Sequence, residues 1–365
     1  MRLAGVRVML VGPLPPPAGG MANQTRQLAE LLDAEGAEVA MVQVNAPYRP
    51  RWAGRIRGLR ALFRLLPYLA ALWREAGRTD LAHVMANSGW SWHLFAAPAI
   101  WIAWLRGVPA LVNYRGGEAG AFLERSAPLV RWSVRRSAGL LFPSGFLQEV
   151  FSRHGMPGRV VPNIVDLQRF RPAGRAEGGW QLMVARNLEP IYGIDTAIRA
   201  FARVLSRHPD ATLAIAGSGP QEGELRSLAE REGVAAAVRF TGQLDRDQMA
   251  ALYRESHLML NPSRVDNMPN SVLEALASGL PVVSTEVGGV PFIVEHGRTA
   301  MLVPPDDPAA MAAATLEIMS DDSLRDRLVR DGMDDVRRYA WPQVREILIE
   351  AYLSAMGRDL PRMES

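Results

Sequence analysis

The 365-residue chain contains no cysteine. Disulfides, thiolate nucleophiles and cysteine-bound zinc are thereby excluded, and a cytoplasmic setting is expected. Lysine is missing as well, so every strongly basic side chain is an arginine. Schiff-base catalysis, a pyridoxal phosphate anchor and a Walker A lysine are ruled out with it. Histidine is scarce: His83, His93, His154, His208, His257 and His296 are scattered without metal-ligand spacing. Long hydrophobic runs are also wanting. The longest, Leu94 to Leu105, falls short of the roughly 20 residues that a membrane-spanning helix needs. At the start, "MRLAGVRVMLVGPLPPP" has its apolar run broken by prolines and lacks a small-residue cleavage site, so it reads as a first strand and not as a signal peptide. A formal net charge of +3 argues for no nucleic-acid partner.

What is present is an alternation of strand and helix patterns, which predicts an α/β protein with parallel sheets covered by helices. In the first half "VRVMLVG", "AEVAMVQV", "LAHVMAN", "PALVNY", "GLLFPS" and "GRVVPNIVD" read as strands; in the second, "QLMVAR", "ATLAIAG", "AVRFTG", "HLMLNPS", "PVVST" and "AMLVPP". Between the halves, "RFRPAGRAEGGW" is rich in glycine and proline and reads as a linker. The length suits two doubly wound domains of roughly 150 to 180 residues each, expected to face one another across a cleft. Their expected bounds are 1–170 and 171–340, with a helix over 341–365.

The stretch "NPSRVDNMPNSVLEALASGLPVVSTEVGGV", residues 261–290, carries the most chemistry. It sets Asp266 and Glu274 eight residues apart around the start of a helix that stops at Gly279. Free N–H groups in the first turn, about Asn270, Ser271 and Val272, suit a diphosphate. A carboxylate beside that point suits the two hydroxyls of a ribose, and a second one further out suits a sugar hydroxyl. Taken alone, Asp266 reads as a turn residue and Glu274 as an exposed helix residue favoured by the dipole. The whole run, with its tail "ALASGLPVV", resembles the C-terminal signature of the retaining GT-B glycosyltransferases (group 1), with Asp266 in place of that family's first glutamate. The resemblance implies that Glu274 binds the ribose, and that Asp266 with the backbone of Asn267 and Met268 binds the donor sugar. It also implies a last helix packed on the first domain.

Other segments extend the likeness over nearly the whole chain. "PLPPPAGGMANQTRQLAELL" places Gly19 and Gly20 between strand and helix, where backbone approaches the donor phosphates or simply turns tightly. "VARNLEPIYGIDTAIRAF" resembles the segment whose arginine and lysine clamp the donor diphosphate: Arg186 matches the arginine, whereas Tyr192 stands where the lysine is expected. "VVPNIVDLQRF" is similar to the family hinge, with Ile164 in place of glycine; its Asn163 and Asp166 read as turn residues. The family commonly has a histidine near the reacting sugar, and Arg115 in "ALVNYRGGEAGAFL" takes that position. Its role is then electrostatic, or it pairs with Glu118. Tyr114 and Glu118 are expected beside it, facing the cleft.

Two further patterns are weaker. "AGSGPQEG" echoes a dinucleotide-binding turn, but no acidic residue ends the next strand, so no cofactor is expected. "DRD" at Asp245 to Asp247 resembles a metal-binding motif and is better explained as a helix N-cap, so no metal is expected. Over Arg49 to Arg78, Arg57, Arg60 and Arg64 share one helical side, flanked by Trp52 and Trp73; this side faces solvent or an anionic membrane at the inner face. The expected activity is transfer of a sugar, with retention and without a metal, from a nucleotide-diphosphate donor to a hydroxyl of a glycan or lipid-linked glycan. The alternatives are a non-catalytic nucleotide-sugar-binding subunit and a nucleotide-sugar epimerase.

Overall fold

Strands buried on both faces must satisfy their backbone through parallel neighbours, and their sequences read as unbroken apolar runs. The computed structural model, which describes residues 3–16, 19–48, 60–174 and 178–358, has twelve strands in two parallel sheets of six, the central ones of this kind. The chain divides into two compact units, residues 1–163 with 344–365 and residues 164–343.

In the first unit the strands are β1 (Arg7–Gly12), β2 (Glu38–Gln43), β3 (Leu81–Ala86), β4 (Ala110–Tyr114), β5 (Gly139–Phe142) and β6 (Arg159–Val160). They pair in parallel in the order β2-β1-β3-β4-β5-β6. Helices α1 (Gly20–Ala34), α2 (Arg60–Ala76), α3 (Ala97–Leu105), α4 (Ala119–Val134) and α5 (Gly145–Arg153) connect them, α3 being entered through a π-helical turn at Trp92–Ala96. Leu72, Trp92, Ile100, Phe122 and Leu123 pack with Val84 and Val112 to close one core. The order reverses at β1, so the loops after β1 and β3 flank a crevice at the carboxyl edge.

The second unit has β7 (Gln181–Ala185), β8 (Thr212–Ala216), β9 (Val238–Gly242), β10 (Leu258–Asn261), β11 (Val282–Thr285) and β12 (Met301–Val303), in the parallel order β12-β11-β10-β7-β8-β9. Its helices are α6 (Ile194–Leu205), α7 (Glu222–Arg231), α8 (Arg246–Glu255), α9 (Asn270–Ala277), α10 (Pro308–Ser320) and α11 (Asp322–Asp335). The switch point here lies between β7 and β10. Central strands are fully buried, whereas the edge strands β2 and β9 are half-buried, as expected where one side lacks a neighbour.

The last helix, α12 (Trp341–Ala355), passes from the second unit into the first. Within the first unit Arg345 pairs with Glu35 at 3.1 Å and Glu350 with Arg159 at 3.2 Å. The division at 163/164 falls before the glycine-rich linker because Val165 donates its N–H to Tyr339 at 3.0 Å and Phe170 meets Tyr253 edge-on at 5.6 Å, both inside the second unit. Phe170→Ala should therefore destabilise the protein by about 3 to 5 kcal/mol. A denaturation midpoint unchanged from wild type would place Phe170 outside that core.

Candidate functional site

Arg186 follows β7 and Asn261 ends β10, so both stand at the switch point of the second sheet. The guanidinium donates to Asn261 Oδ1 through Nε at 2.9 Å and Nη2 at 2.8 Å, and pairs through Nη2 with Asp266. Only 11 % of the Arg186 side chain and 10 % of the Asp266 side chain is exposed, which makes this a largely desolvated ion pair. Arg186 also lies over the ring of Tyr192, 5.3 Å from its centroid. Tyr192 thus adds a π-face where a second cation was expected, and no charge. Burial holds the Asp266 carboxyl above its usual range even though Arg186 opposes the shift.

Asn261 is buried and orients the pair. Its amide donates to Ser284 Oγ at 2.8 Å, which fixes its carbonyl oxygen toward Arg186. Sequence reasoning missed it, because an asparagine ending a strand reads as a turn residue; the available sign was a polar group closing an otherwise apolar buried strand. The backbone around Arg186 is shaped by glycines. A Cβ on Gly217 would stand 1.9 Å from Arg186 O, and one on Gly219 2.4 Å from Leu188 O. The "AGSGPQEG" turn is therefore a seat for the segment after β7. Gly193, with φ of 59°, meets Pro262 O in the same way, at 2.2 Å for its Cβ.

The helix α9 begins after Pro269, and its first turn supplies the amides of Asn270 and Ser271. The Val272 N–H, expected to be available, donates to Pro269 O at 3.2 Å. The Val272 and Met268 side chains lie in the core, so any contribution they make to a ligand is through backbone. Asn267 is also buried. Ser271 is buried, and among the described residues its hydroxyl has no hydrogen-bond partner, as suits a group facing a ligand oxygen. Glu274 accepts from Tyr253 Oη at 3.1 Å, and the same hydroxyl reaches Ser271 O at 3.1 Å. Burial raises the Glu274 carboxyl to about 7, against opposing pulls from Tyr253, Arg246 and Arg186. Tyr253 was not foreseen, since nothing in a mid-helix tyrosine announces a carboxylate partner.

In the first unit Gly19 caps α1, whose first residue is Gly20, in extended backbone; a Cβ on Gly19 would meet nothing within 4 Å. Arg115 follows β4. It donates through Nε to Asn113 Oδ1 at 3.2 Å and through Nη1 to Asn163 Oδ1. With Asn113 Oδ1 so engaged, its amide nitrogen faces His83 Nε2 at 3.2 Å. Nε2 therefore accepts, and Nδ1–H donates to Tyr352 Oη at 2.8 Å. Burial, helped by Arg115, lowers His83 to about 3, so the ring is neutral. Burial also lowers Arg115, to about 10, which leaves it cationic at neutral pH. Tyr114 does not face outward as expected: it is fully buried, bonded to Ser88 Oγ at 2.8 Å and packed among Trp92, Phe122 and Phe151. The alternation of a strand sends it into the helix layer. Glu118 is exposed, with φ of 52° at the start of α4.

Asp166 is a turn residue, accepting from the amides of Gln168 and Arg169 at 3.1 Å each. Asp245 caps α8, accepting from the Asp247 and Gln248 amides at 2.9 Å. Of the basic helix, Arg57 and Trp52 lie outside the described residues and Arg60 is described in its backbone only. Arg64 is half-buried and lies over the Tyr48 ring at 4.3 Å, so it does not stand in a solvated row.

The fold, two doubly wound six-stranded parallel sheets, is that of the GT-B glycosyltransferases. Sucrose-phosphate synthase from Thermosynechococcus elongatus shares the fold over 96 % of this chain and 99 % of its own, with a TM-score of 0.78 at 21 % identity. Anabaena HepE, solved in complex with UDP and glucose, does so over 96 % and 100 %, with a TM-score of 0.72 at 16 % identity. The family model for glycosyl transferases group 1 matches residues 180–321, and that for glycosyltransferase family 4 matches residues 18–169. The glycogen synthase of Mycobacterium tuberculosis is 31 % identical over 277 residues, spanning 72 % of this chain and 67 % of the relative. The D-inositol 3-phosphate glycosyltransferase of Acidothermus cellulolyticus is 34 % identical over 217 residues, covering 54 % of this chain and 48 % of its own length. The chain belongs to the group 1 glycosyltransferases.

The raised carboxyl of Glu274 makes stability depend on pH. The native state holds this proton up to about 7 and the unfolded chain only to about 4.5, so the stabilisation is complete below the lower value and is lost as pH rises through the upper one. The span corresponds to roughly 3 kcal/mol. Glu274→Gln should flatten this part of the profile; denaturation midpoints that still fall between those two pH values in the variant would assign the dependence elsewhere.

Proposed function

We propose that the protein transfers a sugar from a nucleotide-diphosphate donor to a hydroxyl of a glycan or lipid-linked glycan, with retention at the anomeric carbon and without a metal. The observation that carries this reading is the convergence of Arg186, the first turn of α9 and Glu274 at the switch point of the second sheet. In the assignment we make, Glu274 accepts the ribose hydroxyls, the amides of Asn270 and Ser271 with the Ser271 hydroxyl hold phosphate oxygens, and Arg186 neutralises the diphosphate. Gly19 and Gly20 add phosphate contacts through backbone. Asp266, with Asn267 and Met268 backbone, receives the donor sugar. The leaving diphosphate then takes the acceptor proton on the face from which it departs. The UDP and glucose bound to HepE support a nucleotide-sugar donor. Arg115 contributes positive charge in turnover, and the acceptor is reached at the inner face of an anionic membrane when it is lipid-linked.

A panel of nucleotide-sugars screened by thermal shift identifies the donor, since a ligand at about 100 times its dissociation constant stabilises by roughly 2.7 kcal/mol. Glu274→Ala should weaken nucleotide binding by about 1 to 3 kcal/mol. Asp266→Asn should act oppositely on the bare nucleoside diphosphate, tightening it about tenfold because Arg186 loses its internal competitor, while turnover falls. Calorimetry showing both variants weakened alike would overturn this division of roles.

Arg115→Ala should lower turnover by roughly 100-fold with nucleotide affinity unchanged, as when a charge acting mainly in the transition state is lost. Turnover should also persist in chelator. Wild-type protein that binds a nucleotide-sugar and transfers it to no acceptor would favour the non-catalytic binding subunit.

A further inference from the structure

We propose that the outer surface of α2, α3 and α4, at their carboxyl ends, docks onto an anionic lipid bilayer. Trp73, Trp104 and Trp132 are 51 %, 49 % and 53 % exposed, and Leu105 and Leu129 beside them are 61 % and 59 % exposed. An apolar group this concentrated on a water-facing surface marks an interaction site. The three helices present it as one patch. Trp101 lies tilted against Trp132 with ring centroids 4.0 Å apart and meets Trp104 edge-on at 5.7 Å. Arg136 lies over all three of these indoles, 3.8 Å from Trp101, 4.9 Å from Trp132 and 5.4 Å from Trp104. Arg106 of the α3 end reaches across to Trp73 at 4.9 Å.

Charge selects the occupant. From Asp80 to Glu118 the chain has no acidic residue between the two, and from Glu124 to Glu149 again none, so the only formal charges at the ends of α3 and α4 are arginines, Arg106 after α3 and Arg131, Arg135 and Arg136 at and after the end of α4. Arg106 and Arg135 are exposed there. Of the acids that flank the patch in sequence, Glu75 pairs with Arg74 at 2.7 Å and Asp80 accepts the Arg7 amide at 2.8 Å. A second copy of the same patch would bring arginine against arginine, which is disfavoured. Indole rings with arginines around them suit instead the headgroup level of a bilayer whose surface is negative. An open cavity of about 700 Å³, lined by Trp104, Arg135, Arg136 and Arg358 with Asp80 at its side, adjoins the patch and gives a phosphate headgroup a place to sit. The surface lies at the amino ends of β3, β4 and β5, the opposite edge of this sheet from Arg115, and the proposal does not rest on the donor-site reading.

The test is co-sedimentation of the full chain with vesicles of phosphatidylcholine alone and of phosphatidylcholine doped with phosphatidylglycerol. Binding is expected to the doped vesicles only, to fall as salt is raised, and to blue-shift tryptophan emission. Arg106→Glu and Arg135→Glu should each weaken it by about tenfold or more, because each removes an attraction and adds a repulsion. Trp104→Ser with Trp132→Ser should abolish the emission shift, while the charge-matched Arg203→Glu on α6 changes nothing; thermal melts establish that all variants fold. Sedimentation with neither vesicle, equal sedimentation with both, or indifference to the patch variants would overturn the proposal. So would a dimer in light scattering that the tryptophan variants dissolve, since the patch would then cover a second copy.

Discussion

A guanidinium does not surrender its proton, so once Arg186 is placed at the end of β7 with little water around it, the surrounding structure has to supply its partners. Asn261 gives two acceptor contacts from β10, Asp266 gives the countercharge from the next loop, and Tyr192 gives a ring face from the segment before α6. Bringing those three backbones together leaves no room for side chains at Gly193, Gly217 or Gly219. The glycine turn after β8 and the turn before α6 thus seat the backbone segments that carry this buried charge and its partners. Asn261 is directed toward the charge because its amide is pinned by Ser284.

Most of the architecture was legible in the sequence because fully buried parallel strands leave unbroken apolar runs that little else produces in this length range. Each of the twelve predicted runs contains one of the twelve strands found among the described residues. The unit boundary was harder, since glycine and proline mark where a chain bends and not where its contacts change sides; Phe170 lies just before the bend and still belongs to the second core. The grouping of side chains was legible where residues are close in sequence, as with Asp266, Ser271 and Glu274 about the start of α9. It was not where partners are distant. Nothing local announces that Arg186 meets Asp266, that Tyr253 meets Glu274, or that Arg64 is covered by Tyr48. Tyr114 was misplaced for a smaller reason: adjacent residues at a strand end point to opposite faces, and only one of Tyr114 and Arg115 could face outward.

The two carboxylates are unequal for physical reasons. Asp266 is desolvated but carries its own counterion, whereas Glu274 is desolvated with a neutral hydroxyl as its direct partner and holds its proton to about 7. Such a group is costly in the empty protein and becomes less so when hydroxyl donors surround it. Burial is thus what sets Glu274 apart from an ordinary helix carboxylate. The sequence contributes this through position alone: Glu274 stands in α9, whose residues on either side, Leu273 and Ala275, are core.

The chain of bonds from Tyr352 through His83 and Asn113 to Arg115 links a buried cation of the first unit to the last helix, beside its bond to Asn163. Each link has one direction: the tyrosine oxygen takes the Nδ1 proton, the bare Nε2 takes the amide proton, and the amide oxygen is left for arginine. During synthesis both sheets can emerge before Tyr352 does. The bond of Arg115 to Asn163 can form by then, whereas its link through Asn113 and His83 to Tyr352 closes only once the last helix has been made.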